Sequence, residues 1–415
     1  MDLKEARQIA LSLARRLDRE LVDLGSALGR VLAEPLSAGR DIPGNARSKW
    51  DGFALSSRDC ASAGPEAPVF LEIAPGETVA GKMPEKALRG KSFRIMTGSV
   101  LPDGTDAVIP FEDAALSGNF LVLRGPIRSG SGVIAPGSEA RRNDILLEEG
   151  DILTPTRLAI AAAAGRKALH SIRRPRVAIL ATGDELQGSG RSDERASTPS
   201  NNTHLLVNLV RSSGAEPIEL GVTPDDPDVI FCRLQRAEAD LVITTGGMGR
   251  GKRDFISDVW KRLGLKTHFQ SLNLVPGKGS ALATGNGRIF LGLPGNPWAG
   301  RIVYEEIAAP VIRCFLGLSG CGSFSLDARS LGRMTKSEGV YQAFEGILEI
   351  KSGSCDFTPC YAVTKIPAGI SSLRTCLAYA LLGPQSTDLD RGETVQVKIP
   401  DFSLSTWAIL NLWNS

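Results

Sequence analysis

The stretch LVITTGGMGRGKRD, Leu241 to Asp254, runs from five apolar or β-branched residues into four glycines, three cations and one carboxylate. A short apolar run bounded by glycine is typical of a buried strand. Glycine permits positive φ and lets backbone N–H groups approach an anion closely. A helix beginning near Arg253 would add its partial positive charge. The stretch therefore predicts a strand followed by a loop that can hold a phosphate or another oxyanion.

The same order of strand, loop and helix continues on both sides of this stretch, from about Arg173 onward. Apolar strands that alternate with amphipathic helices predict a parallel sheet covered on both faces. The segments are RVAILATG (176–183), NNTHLLVNLVRSSG (201–214), EPIELGV (216–222), DPDVIFCRLQRAEA (226–239), DLVITTGG (240–247), RDFISDVWKRLG (253–264) and RIFLGLPGNP (288–297), then a long helix through Val311.

The rest of the chain predicts three further domains around this α/β domain. The N-terminal residues form a helix and then a second helical piece, GSALGRVLAE (25–34), whereas short β-like runs separated by Gly, Pro and Asp follow. The C-terminal residues are again rich in β-like runs, typical of a small barrel. We expect an N-terminal domain (1–42 and 126–172), an inserted β-domain (43–125), the α/β domain (173–322) and a C-terminal β-barrel domain (323–415).

The composition excludes several classes of protein. Lys plus Arg outnumber Asp plus Glu by only 48 to 46, so the chain lacks the basic field that binds nucleic acid or an anionic membrane. The cysteines never occur as CxxC and there are only three histidines, which leaves little for a zinc site or a histidine triad. The N-terminal segment carries charges throughout, and no apolar run approaches the roughly 18 residues that span a bilayer. We expect a cytoplasmic protein.

Three glycine-bearing loops follow strand signals: ATGDEL (181–186), TTGGMGRGKRD (244–254) and GLPGNP (292–297). In a parallel sheet they should open on one edge, which makes that edge the expected ligand crevice. The loops do not match the P-loop or dinucleotide patterns, and each alone is also consistent with ordinary turns. VPGKG (275–279) adds Lys278, either a solvated turn residue or a cation for a bound phosphate. Asp254 is either a carboxylate at a helix N-terminus or a metal ligand.

Several motifs occur in a fixed order: SKWDGFAL (48–55), RIMTGSVLPDGTDAVIPFED (94–113), RPRVAILATGDEL (174–186), the glycine loop with Asp254, PGK (276–278) and GLPGNP (292–297). In this order they resemble the molybdopterin molybdenumtransferases, the MoeA family, to which the E domain of gephyrin also belongs. The resemblance covers nearly the whole chain. It implies an elongated four-domain homodimer with an elongated N-terminal domain and a MoaB-like molybdopterin-binding third domain, whose cleft is shared with the partner's second domain.

The resemblance also implies a reaction. Family members take adenylylated molybdopterin, cleave the adenylate and insert molybdate into the dithiolene with Mg²⁺ or another divalent metal present, and AMP is released. Molybdopterin adenylyltransferase and recipient molybdoenzymes are the implied partners.

Individual residues acquire expected roles from the same resemblance. Asp51, Asp254, Lys278 and Glu185 are the expected catalytic residues, and Asp254 and Glu185 are also the expected metal ligands. The residues expected to bind molybdopterin are Thr97, Gly98, Thr182, Asp184, Ser200, Asn201, Asn202, Gly246, Gly247, Gly249, Arg250, Lys252, Pro276, Gly277, Pro294, Gly295, Asn296 and Pro297.

Four positions depart from the family pattern. Ser200 and Leu146 replace carboxylates, Val275 replaces a lysine and Gly249 replaces a serine, while Arg250 and Lys252 add cations to the glycine loop. Added cations favour anion binding, whereas lost carboxylates weaken metal-assisted cleavage. The sequence therefore leaves open a non-catalytic paralogue that binds or delivers molybdopterin or the finished cofactor, and, less favoured, a gephyrin-like scaffold.

Overall fold

The computed structural model describes residues 1–79, 81–84, 86–184, 186, 200–247, 255–318, 324–351, 354–360 and 378–399. The chain divides into two compact units. The first unit contains residues 1–34, 149–155 and 168–415, and the second contains residues 35–148 and 156–167. The division into four domains stays a prediction.

The described residues form helices and strands along the whole chain. The helices are α1 (Leu3–Leu13), α2 (Pro155–Ala163), α3 (Asn201–Ser212), α4 (Pro227–Arg236), α5 (Phe255–Arg262), α6 (Pro297–Val303) and α7 (Ala309–Phe315), with a π-helical turn, Tyr304–Ala308, between α6 and α7. The strands are β1 (Arg19–Asp23), β2 (Leu36–Ser37), β3 (Arg47–Ser48), β4 (Gly52–Leu55), β5 (Val69–Thr78), β6 (Lys91–Ile95), β7 (Ala107–Pro110), β8 (Ala115–Ser117), β9 (Phe120–Leu123), β10 (Val133–Ile134), β11 (Ile145–Leu147), β12 (Ala168–Ile172), β13 (Arg176–Thr182), β14 (Glu216–Thr223), β15 (Leu241–Thr245), β16 (Lys266–Phe269), β17 (Leu274–Val275), β18 (Ala281–Gly285), β19 (Arg288–Leu293), β20 (Ser325–Ser330), β21 (Tyr341–Lys351), β22 (Ser354–Pro359), β23 (Ala378–Leu382) and β24 (Thr394–Lys398).

The central sheet of the first unit has the strand order β14-β13-β15-β19-β18-β16. The pairs β14/β13, β13/β15 and β15/β19 are parallel, as predicted. The last two strands, β18 and β16, are antiparallel, so the predicted parallel sheet is extended at this edge by an antiparallel pair. The reversal follows from Asn286-Gly287, whose φ values of 52° and 73° suit a two-residue hairpin turn between β18 and β19.

Both faces of this sheet are buried. Alternate side chains of β13 and β15, such as Ile179 and Ile243, belong to one apolar cluster, and Leu180 and Val242 belong to the cluster on the other face. Since successive side chains of a strand point to opposite faces, the near-continuous apolar runs are explained by helices on both sides. The α/β class predicted from the sequence is confirmed.

The predicted second helical piece near the N-terminus is wrong. Residues Leu24–Ser26 form only a 3₁₀ turn, and Val31 and Leu32 form isolated β-bridges to Ile152 and Ser171. Gly29 has φ of 71°, a left-handed conformation that ends helices. The backbone N–H of Leu32 donates to the Asp151 carbonyl at 2.9 Å, so tertiary strand-like bonding replaces the helix that the apolar spacing suggested.

The C-terminal strands close into a barrel. The sheet order β17-β21-β22-β20-β24-β23 is completed by an additional pairing of β21 with β23. Its interior contains Phe357, Ala380 and Val397, all fully buried. The predicted C-terminal β-barrel is confirmed.

The second unit is built on a sheet of order β7-β4-β6-β5-β9-β8. Its core contains Phe53, Leu71 and Leu121. Leu71 and Leu121 alternate with more exposed residues along β5 and β9, whereas β4, which contains Phe53, is buried along its whole length. Across the described residues of both units, no helix is long and apolar enough to cross a membrane.

Candidate functional site at the carboxyl edge of the central sheet

The three predicted loops meet at one edge of the central sheet. Ala181 of β13 pairs with Thr245 of β15, and Thr245 pairs with Leu293 of β19. Because these strands are parallel and end at the same level, the loops that follow them lie side by side. A Cβ built on Gly295 would lie 3.8 Å from the Gly246 Cα, so the second and third loops are in van der Waals contact.

The glycine loop after β15 requires glycine at its first two positions. Gly246 has φ of 94° and a Cβ there would lie 2.2 Å from the Thr182 carbonyl oxygen. Gly247 has φ of 65°, and its Cβ would lie 3.1 Å from the Thr182 Oγ1. A side chain is therefore excluded at Gly246 by the clash and disfavoured at Gly247 by the positive φ and the tight contact, so glycine backbone lines this part of the crevice.

Thr182 ends β13 directly beneath this loop. Its side chain is only 3% exposed, and its Oγ1 has no hydrogen-bond partner among the described residues. A buried hydroxyl without a partner costs free energy unless a ligand or water satisfies it. Thr182 is thus a candidate ligand-binding hydroxyl, as the sequence predicted.

Asn202, in the first turn of α3, joins two of the loops. Its Nδ2 donates to Thr245 Oγ1 at 3.0 Å and to the Gly295 carbonyl at 2.7 Å. Thr245 Oγ1 donates in turn to the Pro294 carbonyl at 3.3 Å. Thr245 is not among the site residues predicted from the sequence, although a β-branched hydroxyl residue at the carboxyl end of a predicted strand is a usable signal.

The neighbouring predicted residues lie at the N-termini of α3 and α6. Ser200 holds the N-cap position of α3, and its Oγ lies 2.8 Å from Thr203 Oγ1. Asn201 begins the same helix. Asn296 caps α6, since its Oδ1 accepts from the Ala299 N–H at 3.1 Å, and Pro297 follows at the first helical position. These contacts fix the loop ends and leave the backbone of residues 294–296 as the part that faces solvent.

Asp184 connects the first loop to a fourth one. Its Oδ1 accepts from the Asp225 backbone N–H at 3.0 Å, and Gly183 N–H donates to the Thr223 carbonyl at 3.2 Å. The loop after β14, which contains Asp225, therefore belongs to the same edge. This loop is not among those predicted from the sequence, because its TPDDP segment has no glycine.

Lys278 lies on a turn at the same edge. Ala281 of β18 pairs with Gly292 near the end of β19, so the turn that precedes β18 is beside the third loop. Lys278 is exposed and forms no ion pair with a described residue. Gly277 has φ of 138°, and a Cβ there would lie 2.9 Å from side chains of Leu274 and Val303. Pro276 and Gly277 therefore form a tightly packed turn that presents the ammonium group of Lys278 to solvent.

The second unit holds Asp51, Thr97 and Gly98 together. Asp51 Oδ1 accepts from the Thr97 N–H at 2.6 Å and from Thr97 Oγ1 at 2.7 Å. These hydrogen bonds, the backbone one first, lower the pKa of Asp51 below its ordinary value. Gly98 has φ of 77°, and its N–H donates to the Ser48 carbonyl at 2.8 Å. The result is an exposed, ionised carboxylate held by a rigid turn.

Five predicted residues lie outside the described residues: Glu185, Gly249, Arg250, Lys252 and Asp254. Both expected metal ligands are among them. Within the described ranges, no group of three or more His, Cys, Asp and Glu residues could hold a metal ion.

Two family models match this chain, and together their matches include residues of both units. Residues 1–165 match the family model "MoeA N-terminal region (domain I and II)", and residues 178–314 match "Probable molybdopterin binding domain". The molybdopterin molybdenumtransferase of a Nostoc species is 34% identical over 327 residues, which are 76% of this chain and 75% of the relative. The chain belongs to the molybdopterin molybdenumtransferase family.

Further members of the family agree over a larger share of the chain. The molybdopterin molybdenumtransferase of Bacillus subtilis is 30% identical over 389 residues, covering 92% of this chain and 89% of the relative. A crystal structure of a molybdopterin biosynthesis MoeA protein from Pyrococcus horikoshii superposes with a TM-score of 0.84 at 25% identity, covering 96% of this chain and 98% of that one. The predicted family and fold are confirmed, and the curated relatives are named as transferases, which does not favour a non-catalytic paralogue.

Proposed function

We propose that this protein is a molybdopterin molybdenumtransferase: it inserts molybdate into adenylylated molybdopterin and releases AMP. The observation that carries the proposal is the convergence of the loops after β13, β15 and β19 at one sheet edge in a member of this family. That edge offers a backbone surface at Gly246 and Gly247, both with positive φ and close to Thr182, and a buried hydroxyl without a described partner on Thr182.

The described residues divide into groups with different tasks in this proposal. Thr182 Oγ1 binds a polar group of the pterin or its phosphate, because it is a buried hydroxyl without a described partner. The backbone at Gly246 and Gly247 lies beside it and faces the same ligand. The ammonium of Lys278, which has no described counter-ion, neutralises developing negative charge on the phosphate. Asp51 is an exposed, ionised carboxylate of the second unit, and its proposed place in the reaction rests on the family resemblance. In the family's reaction this carboxylate is suited to act as a base or to orient a reactant.

A divalent cation belongs to the proposal as a requirement to be tested. Mg²⁺ usually takes one or two carboxylates together with water and substrate phosphate, and the two expected carboxylates, Asp254 and Glu185, are not described. The described residues alone do not form such a site, so no step is derived through the metal.

Partners and compartment complete the proposal. We infer a homodimer that acts in the cytoplasm, receives its substrate from a molybdopterin adenylyltransferase and passes the cofactor to molybdoenzymes. Analytical ultracentrifugation tests the dimer, and a purely monomeric protein at the concentration of the activity assay would contradict it.

The deciding experiment is AMP release by the purified protein, given adenylylated molybdopterin, molybdate and Mg²⁺, with cofactor formation followed in parallel. Molybdate-dependent AMP release that is lost with EDTA and restored by added Mg²⁺ is the expected result. Tight binding of the pterin without AMP release would overturn the transferase and identify a carrier. Release that does not depend on molybdate would indicate a simple hydrolase.

A further inference from the structure

The contacts of Asn202 suggest a role that differs from the ligand contact expected from its sequence motif. Its side-chain amide has two N–H donors. One lies 3.0 Å from Thr245 Oγ1 and the other 2.7 Å from the Gly295 carbonyl. Both donors are therefore used within the protein, and together with the bond from Thr245 to Pro294 they form a closed set of hydrogen bonds, here called the Asn202 clasp.

The clasp fixes the orientation of two consecutive peptide groups. The Thr245 hydroxyl donates to the Pro294 carbonyl, and the Asn202 amide donates to the Gly295 carbonyl. In a planar trans peptide the C=O and the following N–H point in opposite directions. The N–H groups of Gly295 and Asn296 are consequently directed away from the clasp.

These two N–H groups are available to a ligand. Gly295 and Asn296 are both exposed, and within the described part of the chain no acceptor is recorded for either N–H. The side chain of Asn296 is occupied with the Ala299 N–H, so the backbone is the donor that this loop offers. Adjacent N–H groups on one loop suit an oxygen of an anionic group.

We propose that Asn202 is a positioning residue that holds the Gly295 and Asn296 N–H groups toward an oxyanion of the substrate. The inference rests on the proposed function and deepens it, because it assigns the anionic group of adenylylated molybdopterin or molybdate to this pair of donors. Asn202 acts through Thr245 and Gly295 rather than through a contact of its own with the pterin.

The test compares Asn202→Ala, Thr245→Val and the double variant with the wild-type protein. Loss of the clasp should lower kcat/KM for AMP release at least about tenfold in Asn202→Ala, the size expected for two lost hydrogen bonds. The loss should appear mainly as a higher KM for the substrate whose oxyanion the two N–H groups bind. That oxyanion is charged in both the ground state and the transition state, so both states lose the same interaction. A variant that merely unfolds in part would lower apparent kcat and leave KM unchanged.

The double variant separates a shared clasp from two independent contacts. If both residues act through the same loop, the fold-loss of kcat/KM in the double variant should be smaller than the product of the fold-losses in the two single variants. Strictly multiplicative losses would overturn the clasp, as would wild-type KM in Asn202→Ala. Asn208→Ala is the matched control, since Asn208 lies on the same helix and its Nδ2 also donates to a carbonyl, that of His204 at 2.8 Å.

The affinities for adenylylated molybdopterin and for molybdate, measured separately in the same proteins, keep the two proposals apart and show which anion the two N–H groups bind. If the wild-type protein releases no AMP, the transferase proposal fails, and the affinities decide the clasp alone. The clasp is supported if binding is weaker in the variants and the loss in the double variant is smaller than the product of the two single losses. Unchanged affinities overturn it.

Discussion

Asp51 combines a free charge with a fixed position. Both hydrogen bonds from Thr97 reach the same oxygen, Oδ1, at 2.6 and 2.7 Å, and they lower the pKa of the carboxyl group. Asp51 therefore stays ionised to a lower pH than an ordinary aspartate. Because the side chain is exposed, this lowered pKa bears on reactivity more than on stability.

Asp51→Asn separates charge from position. The Asn Oδ1 can still accept from Thr97, so we expect an unchanged fold by circular dichroism and a loss of AMP release of at least about a hundredfold, the usual scale for a lost acid–base group. Asp103→Asn is the matched control, an exposed aspartate of the same unit. An Asp51→Asn protein with wild-type turnover would limit Asp51 to a structural role in the Thr97 turn.

Asp254, at the end of the glycine loop, is predicted from the sequence to bind the metal or orient water. If it is a metal or water ligand, Asp254→Asn should abolish AMP release while molybdopterin affinity stays unchanged. Steady-state AMP assays and pterin fluorescence measure the two effects. Asp258→Asn, on the exposed face of α5, is the control. Full activity of Asp254→Asn would reassign the residue to stabilising a helix N-terminus.

At the scale of elements, the sequence predicted those helices and strands that are determined by local apolar periodicity. The four parallel strands and helices α3, α4 and α5 follow apolar periodicity, and the structure has them at the predicted places. Asn202 was predicted at the site, but its clasp depends on Thr245 and Gly295, which are 43 and 93 residues away. Such pairings are set by the sheet order, which periodicity does not contain. The same reason explains the false helix at residues 25–34, where bridges to β12 and Ile152 prevail.

The long helix after the GLPGNP loop shows how a local rule and a distant side chain combine. Pro310 has no N–H and cannot donate to the Glu306 carbonyl four residues earlier. The helix passes through a π-helical turn at Tyr304–Ala308 just before this proline. Arg7 of α1 supplies the missing donor, since its Nε donates to the Glu306 carbonyl at 3.1 Å. Its guanidinium also pairs with the fully buried Glu306 carboxylate.

Arg7→Met should therefore destabilise the first unit by about 2 kcal/mol, because it removes one of the three described partners of the buried Glu306 carboxylate and leaves the Glu306 carbonyl without a donor. Urea unfolding followed by circular dichroism measures this. Pro310→Ala restores an N–H, so in the Arg7→Met background it should recover part of the loss, whereas alone it should not stabilise the protein. Arg15→Met, an exposed arginine near the same helix, is the control. Equal stability of Arg7→Met and wild type would contradict this account.

At the scale of the whole first unit, Glu306 connects three parts of the fold. It accepts from Arg7 of α1, from Tyr379 Oη of β23 at 2.6 Å and from Lys398 Nζ of β24 at 2.5 Å. Tyr379 and Lys398 are paired across the two barrel strands. The N-terminal helix, the long helix that starts at the site and the C-terminal barrel thus share one buried carboxylate, so the titration of its neighbours affects how these parts are held together.

Lys398 is the neighbour that titrates near neutrality. Burial first, and then the positive charge of Arg7, lower its pKa to about 7 from 10.5, with Arg313 acting in the same direction and Glu305 in the opposite one. In the unfolded chain the lysine keeps its ordinary pKa. Between pH 7 and pH 10.5 the unfolded state therefore binds more protons than the folded state, and the free energy of unfolding rises with pH. Below pH 7 both states are protonated and this contribution to the pH dependence disappears.

We expect this lysine to add roughly 1 kcal/mol of stability per pH unit between pH 7 and pH 9. The measurement is urea unfolding at pH 6, 7, 8 and 9 for wild type and Lys398→Met, and the quantity of interest is the difference between their slopes. Lys398→Met should lack the rise above pH 7, whereas Lys351→Met, which removes an exposed barrel lysine, should keep it. Parallel pH curves for wild type and Lys398→Met would mean that Lys398 stays charged in the folded protein and that its ion pair with Glu306 outweighs the effect of burial.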